Sequence, residues 1–252
     1  MGAVTVVLVH GVPETADVWD AVRVRLDAPS VAVTLAGFGS APPPGFTAGR
    51  DAQVDWILRQ FESIPGPLDV IGHDWGSLLV LRIATAYPDR VRSWAVDVAA
   101  VSHPDYGWHE FARLWQTPGD GERWMEKTLA TSFDDPANLF AQLVQFGVPA
   151  AEGRKMAARF DATMAAAILD LYRSAVPNVH TGWAAASSGP STRPGLVLQP
   201  TADLFDDAAR SDEVARALGA DVLRLAGLGH FWMLEDPSAA VAAIDQWVAR
   251  QV

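Results

Sequence analysis

The chain has 252 residues, half of them apolar and 19% charged, with a formal net charge of −11 and no cysteine. That length suits one α/β domain, or a core carrying an insertion, with a sizeable buried interior. The missing thiol excludes disulfides, thiolate catalysis and zinc–thiolate sites, and the negative charge argues against nucleic acid as a partner.

Met-Gly-Ala leads straight into a strand-like run, so no secretory signal is visible, and Val6 breaks the myristoylation pattern after Gly2. No apolar stretch approaches bilayer-spanning length. A cytoplasmic protein with no membrane partner is the expectation. Short β-branched runs then alternate with helix-like stretches, which predicts an α/β fold: a mostly parallel sheet flanked by helices. Strands are expected over 4–9, 31–35, 68–72, 93–98, 195–199 and 221–226, and helices over 16–27, 50–63, 76–87, 208–218 and 238–250. Continuous apolar runs such as VTVVLV point to burial on both faces.

One gap breaks the alternation. From His103 to Gly189 the pattern is helical only, which predicts a helical cap over 103–189 inserted between core strands of 1–102 and 190–252. The SSGPSTRPG stretch (187–195) reads as the hinge back into the core.

Sites in open parallel sheets form beyond the carboxyl ends of strands. There the chain places HGVPET (10–15), GHDWGS (72–77), Asp97, His103, PTADLF (200–205) and GLGHFWM (227–233). In GHDWGS, Gly72 and Gly76 frame Asp74 at a strand-to-helix corner, the nucleophile-elbow geometry with a carboxylate at its apex. The helix that follows directs its amides at that carboxylate and favours its ionised form. Asp is also a favoured N-cap, so the hexapeptide alone leaves both readings open. The partners tip the balance towards a nucleophile. His230 follows the last strand, and Asp203 follows the one before it, giving the order nucleophile, acid, histidine. Asp203 is the preferred acid to orient the imidazole, and Asp97 is the second candidate. Ser77 stands a turn down the helix, a poor place for a serine-esterase nucleophile. His103 and His109 match no metal spacing, so no metal or cofactor is expected. His10 and His73 read as structural residues behind the site.

At these residues the chain resembles the α/β-hydrolase superfamily, and within it the aspartate-nucleophile branch of epoxide hydrolases and haloalkane dehalogenases. HGVPE, GHDWGS, YPDRV, PTADLF and GLGHFWMLEDP carry the resemblance along nearly the whole chain. The sequence departs from the family in one place: the family usually has one or two extra antiparallel strands before the HG-x-P strand, and here that strand begins at residue 4, so a six-stranded parallel core is expected. The resemblance implies a cis bond before Pro13 and a covalent mechanism. Asp74 attacks an sp³ carbon to form an alkyl ester, and His230, held by Asp203, activates the water that hydrolyses it. The backbone N–H groups of Trp75 and Val12 meet the oxyanion.

The expected substrate is a small apolar or amphipathic organic molecule, and the leaving group is the open question. Val12 stands where many dehalogenases carry a halide-binding asparagine, so HGVPE resembles the epoxide-hydrolase form. Tyr172, in DLYRSA, resembles the cap tyrosine that protonates an opening epoxide, although it also fits an apolar helix face with Ile168, Leu169 and Val176. Phe111 occupies the approximate position of the family's second tyrosine, with Tyr106 five residues earlier. Epoxide hydrolysis to a diol is therefore the leading expectation. Haloalkane dehalogenation is the alternative, with Trp108, Trp115, Trp124 or Trp183 supplying a halide donor. Tyr106, His103, His109, Phe111 and Trp115 are candidate pocket residues. A non-catalytic binding protein on this fold is a further alternative, which nothing in the motifs favours.

Overall fold

The computed structural model describes residues 3–183 and 189–251. Part of the expected hinge, residues 187 and 188, lies outside them, as does Gly2. Six parallel strands form one sheet in the order β2-β1-β3-β4-β5-β6: β1 Thr5–Val9, β2 Ser30–Val33, β3 Leu68–Gly72, β4 Ser93–Val96, β5 Gly195–Pro200 and β6 Asp221–Leu225. The four central strands are buried throughout, whereas the edge strands β2 and β6 are half-exposed. β6 carries Asp221 and Arg224, charges that discourage pairing with another chain.

In chain order the helices are α1 Asp20–Arg23, α2 Arg50–Phe61, α3 Trp75–Ala86, α4 Glu110–Gln116, α5 Asp120–Ala130, α6 Leu139–Gln145, α7 Ala150–Arg159, α8 Ala162–Arg173, α9 Ala208–Leu218, α10 Trp232–Glu235 and α11 Pro237–Ala249. The stretch from α4 to α8 is helical between β4 and β5 among the described residues. None of the described helices is long and apolar enough to cross a membrane.

Three boundaries differ from the sequence-based expectation, each for a local reason. The helix expected over 16–27 is a 3-10 turn at Ala16–Trp19 followed by the short α1. Pro29 restricts Ala28 to extended backbone, and Val24 is 81% exposed, so its side chain anchors no further helical turn. The strand expected to run to residue 98 stops at Val96, because Val98 takes a left-handed φ of 40°. Val176, placed on the buried face of α8 by its spacing, lies past the helix end and is 50% exposed, while Ile168, Leu169 and Tyr172 are buried.

Register brings the strand ends together. Val9 pairs with Gly72, and Gly72 with Val96, so the chain leaves these strands along one edge. After β2 the sheet grows on the far side of β1, a change of direction that opens a crevice between the ends of β1 and β3. Within it, Gly76 comes so close to β1 that an added Cβ would sit 2.4 Å from the Val9 carbonyl oxygen, and one on Gly72 would sit 2.5 Å from the Gly76 carbonyl oxygen. Both clashes are with backbone, which cannot swing aside. Gly76→Ala is therefore expected to destabilise the protein by about 1–3 kcal/mol in urea unfolding. An unchanged midpoint would mean that the corner is looser than these distances.

Candidate active site

Asp74 occupies the corner between β3 and α3 with φ 50° and ψ −121°. A positive φ in a residue with a Cβ costs roughly 1–3 kcal/mol and persists only where surrounding contacts impose it. Here they do. The Asp74 N–H donates to Asp97 Oδ1 at 2.9 Å, its carbonyl accepts from the Ser77 N–H at 2.9 Å, and its Oδ1 accepts from the Val12 N–H at 2.8 Å. The Val12–Pro13 peptide bond is cis.

His230 lies across the crevice. Its Nδ1 bonds Asp203 Oδ2 at 2.9 Å, and its Nε2 points at Asp74 Oδ2 from 4.0 Å. The Asp203 side chain is fully shielded, and its Oδ1 is occupied by the Phe205 N–H at 2.8 Å. Asp203, rather than Asp97, therefore contacts the imidazole. Asp97 lies just past β4, and its Oδ2 is committed to the His73 Nδ1–H at 2.5 Å and the Trp232 indole N–H at 2.8 Å.

Electrostatics follow from this packing. Burial pushes the Asp74 carboxyl up to about 6, against the opposing pull of His230, His73 and the Trp75 N–H. Burial works to lower His230, but the Asp203 charge and hydrogen bond outweigh it and raise the imidazole above its usual 6.5. Beneath them lies a second cluster that the sequence reading did not single out. His73 is fully buried between Asp97 and Glu14, whose Oε1 is 3.0 Å from His73 Nε2. That contact is ionic rather than a linear hydrogen bond, since neither atom has an aligned partner among the described residues. Burial disfavours the imidazolium, yet the two carboxylates win and His73 rises well above its usual value. Asp97 falls to about 2, burial being overcome mainly by the His73 charge. Glu14 also accepts the Gly11 N–H at 3.2 Å. The only sequence signal for it was its place in HGVPE. His10 bridges loops, with Nδ1 on the Gly11 carbonyl and Nε2 accepting the Leu35 N–H.

A mostly apolar cavity opens above Asp74 and His230. Val12, Trp75, Tyr106, His109, Phe111, Trp115 and Tyr172 all line it, so the structure brings these candidates together. His103 does not belong to that lining. Its imidazole instead reaches Glu213 at 3.1 Å, because the chain turns outward there before α4. Phe146, Phe205 and Phe231 join the wall without having been foreseen. His109 caps α4, its Nδ1 accepting the Ala112 N–H, and burial lowers its pKa to about 4, leaving it neutral. Tyr172 meets Trp75 edge-on with ring centroids 5.1 Å apart. Burial, with the Asp74 charge second, raises the Tyr172 phenol well above its usual value, and the same two effects push Tyr106 up to about 12. Among the tryptophans weighed as donors, Trp108 and Trp183 already spend their N–H groups on the Ala175 carbonyl and on Asp51. The Trp115 N–H is buried without a partner among the described residues. Trp124 packs against Trp115 and Phe111. Among the described residues no group of three or more His, Asp or Glu side chains is arranged so that it could hold a metal ion.

The model of the alpha/beta hydrolase family matches residues 6–244, and the chain belongs to that family. It is also similar to a haloalkane dehalogenase of Mycolicibacterium paratuberculosis, at 34% identity over 121 residues. That match spans 43% of this chain and 40% of the relative's length. Among solved structures, haloalkane dehalogenase DbeA from Bradyrhizobium elkani superposes with a TM-score of 0.76 at 22% identity, covering 99% of this chain and 91% of that one. The haloalkane dehalogenase DatA from Agrobacterium tumefaciens gives 0.76 at 19% identity, covering 100% and 91%. At such identities the likeness shows the fold. The α/β-hydrolase resemblance read from the motifs therefore holds. The relatives' names fall in the haloalkane dehalogenase class of the branch, the alternative rather than the leading expectation.

Keeping Asp74 ionised inside the protein costs stability. Its carboxyl rises from 3.8 to about 6 in the fold, so the penalty builds as pH climbs between those values and is constant above them. Asp74→Asn removes it while keeping an acceptor for the Val12 N–H. The variant is expected to be more stable than the parent by about 1–3 kcal/mol at pH 8, with the gain vanishing near pH 4. Urea unfolding at both pH values checks this, and a variant of lower stability at pH 8 would refute it.

Proposed function

We propose that the chain hydrolyses a bond between an sp³ carbon and an electronegative leaving group, through an alkyl ester on Asp74, with haloalkanes as the first substrate class. One observation carries the covalent reading: Asp74 Oδ1 is pinned by a backbone amide while Oδ2 faces the histidine that would release the ester. In this reading Asp74 Oδ2 attacks the carbon, and the C–X bond breaks with its electron pair leaving on X. His230 then takes a proton from water, and the hydroxide adds to the Asp74 carbonyl carbon. The Val12 and Trp75 amides hold the oxyanion. Its collapse expels the alcohol, which receives the proton from His230. Residues 103–189 act as the cap that closes the cavity, and no cofactor is required.

The similarity to haloalkane dehalogenases supports a halide as the leaving group. Trp75 follows Asp74 in the chain and lines the cavity, whereas Val12 offers no side-chain donor. A second reading, epoxide opening, is supported by the two phenols of Tyr172 and Tyr106, which line the cavity and both feel the Asp74 charge. Raised pKa values keep them protonated, as a donor to an alkoxide must be.

Replacing His230 with Gln should allow the ester to form and persist, giving an adduct on the Asp74 peptide by intact-protein and peptide mass spectrometry. A panel of bromoalkanes and styrene-oxide-type epoxides, read out as bromide and diol, then separates the two leaving groups. Absence of any adduct across the panel would remove the covalent reading. Tyr172→Phe distinguishes them further. If epoxides are the substrates, kcat for them should fall roughly 10²–10³-fold, whereas a modest loss on bromoalkanes alone would point to the halide.

A further inference from the structure

Asp97 is fully buried, and no step of the proposed chemistry uses it. It nevertheless accepts four hydrogen bonds, which fills the acceptor capacity of a carboxylate. Oδ1 takes the Asp74 backbone N–H at 2.9 Å and the Ser77 hydroxyl at 2.8 Å. Oδ2 takes the His73 Nδ1–H at 2.5 Å and the Trp232 indole N–H at 2.8 Å. The Asp97 N–H in turn donates to Ser77 Oγ at 3.0 Å. An apolar residue in its place would leave the Asp74 N–H, the His73 ring, the Ser77 hydroxyl and the Trp232 indole without this acceptor. What a carboxylate adds is geometry. Its two oxygens are a rigid pair, one bonded to the backbone of Asp74 and the other to an indole two residues from His230.

We propose that Asp97 is a positioning residue that sets the separation between Asp74 and His230, holding the attacking residue on one oxygen and, through Trp232, the loop of the base on the other. This rests on the covalent reading given above. His73 and Glu14 extend the same brace to the loop after β1, whose Val12 amide holds the Asp74 carboxylate. The separation matters because the water that hydrolyses the ester must touch both the Asp74 carbonyl carbon and His230 Nε2. Misplacement by about 1 Å in such an arrangement costs up to about 10²-fold in rate.

Two variants test it. Asp97→Asn keeps size and one acceptor, so it can serve Asp74 and Ser77 only by turning its NH₂ towards the His73 and Trp232 donors. Trp232→Phe removes the indole arm and leaves Asp97 charged, so it stands in if the first variant does not fold. Single-turnover kinetics with a substrate that labels the His230→Gln variant should show ester hydrolysis slowed roughly 10- to 100-fold and alkylation changed far less, so that adduct accumulates. Crystal structures of both variants should show the Asp74 Oδ2 to His230 Nε2 distance moved from 4.0 Å. Equal slowing of both steps, or no slowing, in a protein of parental thermal stability would overturn the proposal. If His230→Gln yields no adduct with any substrate, the covalent reading fails instead. The crystallographic distance then decides alone: a shift of about 1 Å supports the role of Asp97, and an unchanged distance overturns it.

Discussion

The structure turns on one backbone conformation, the positive φ of Asp74. An L-residue with a side chain does not rest there unaided, so the surroundings supply what the local chain does not. Gly72 and Gly76 lack the Cβ atoms that would meet backbone on either side. Asp97 accepts the Asp74 N–H, which the turn leaves without a backbone partner, and the Val12 amide takes one carboxylate oxygen. Each of these groups comes from a different strand end. The corner therefore exists only when β1, β3 and β4 are in register, and the geometry of the site is a consequence of sheet assembly rather than of the hexapeptide alone.

Charge is arranged around that corner in alternation. Glu14 and Asp97 flank the His73 cation, Asp203 backs His230, and Asp74 faces His230 across the crevice. Glu14, Asp97 and Asp203 each lie within 3.0 Å of a histidine nitrogen, whereas Asp74 stands 4.0 Å from one. Burial raises the Asp74 carboxyl to about 6, and the His230 imidazole, 4.0 Å away, opposes that rise without cancelling it. In the proposed reaction a carboxylate whose pKa is raised by burial is the more reactive anion, and the energy that would make it reactive is withheld from folding. Neighbouring charges thus separate one ionisable group that bears strain from several that relieve it.

Much of this was legible in the chain. The parallel sheet follows from apolar strands alternating with amphipathic helices, and the places of Asp74, Asp203 and His230 beyond strand ends follow from Gly spacing and their order along the chain. What escaped depends on contacts between residues far apart in sequence. Glu14 and His73 stand 59 positions apart, and Asp97 and Trp232 are separated by 135. No local pattern marks either pair. Asp97 is legible as a second candidate acid at a strand end, but the partners of its oxygens, His73, Trp232, Ser77 and the Asp74 N–H, depend on the fold. The cavity wall shows the same limit. Tyr106, His109, Phe111, Trp115 and Tyr172 were found as aromatic and polar residues of the helical insertion, whereas His103 has the same credentials and turns outward to Glu213. Whether such a residue faces in or out depends on the turn that precedes α4, which composition does not encode.

The leaving group is where the fold constrains the chemistry least. A departing halide is a large, weakly basic anion that needs N–H or O–H donors and no proton, while an alkoxide is strongly basic and must be protonated as it forms. A neutral phenol serves both, because it donates a hydrogen bond to the first and a proton to the second. Tyr172 is held neutral by burial and by the charge of Asp74, and it sits against the Trp75 ring. The same pair of residues therefore brings one O–H and one indole to the cavity that Asp74 lines, and in the proposed reaction both would serve whichever bond is broken. Discrimination must then come from the second donor. If the buried N–H of Trp115 turns into the cavity, the site gains an indole suited to a halide. If Tyr106 closes on the same point, it gains a second acid suited to an epoxide oxygen. Both lie in the segment between β4 and β5, so under the proposed chemistry the core would supply an attacking carboxylate common to the two reactions and the helical segment would select between them.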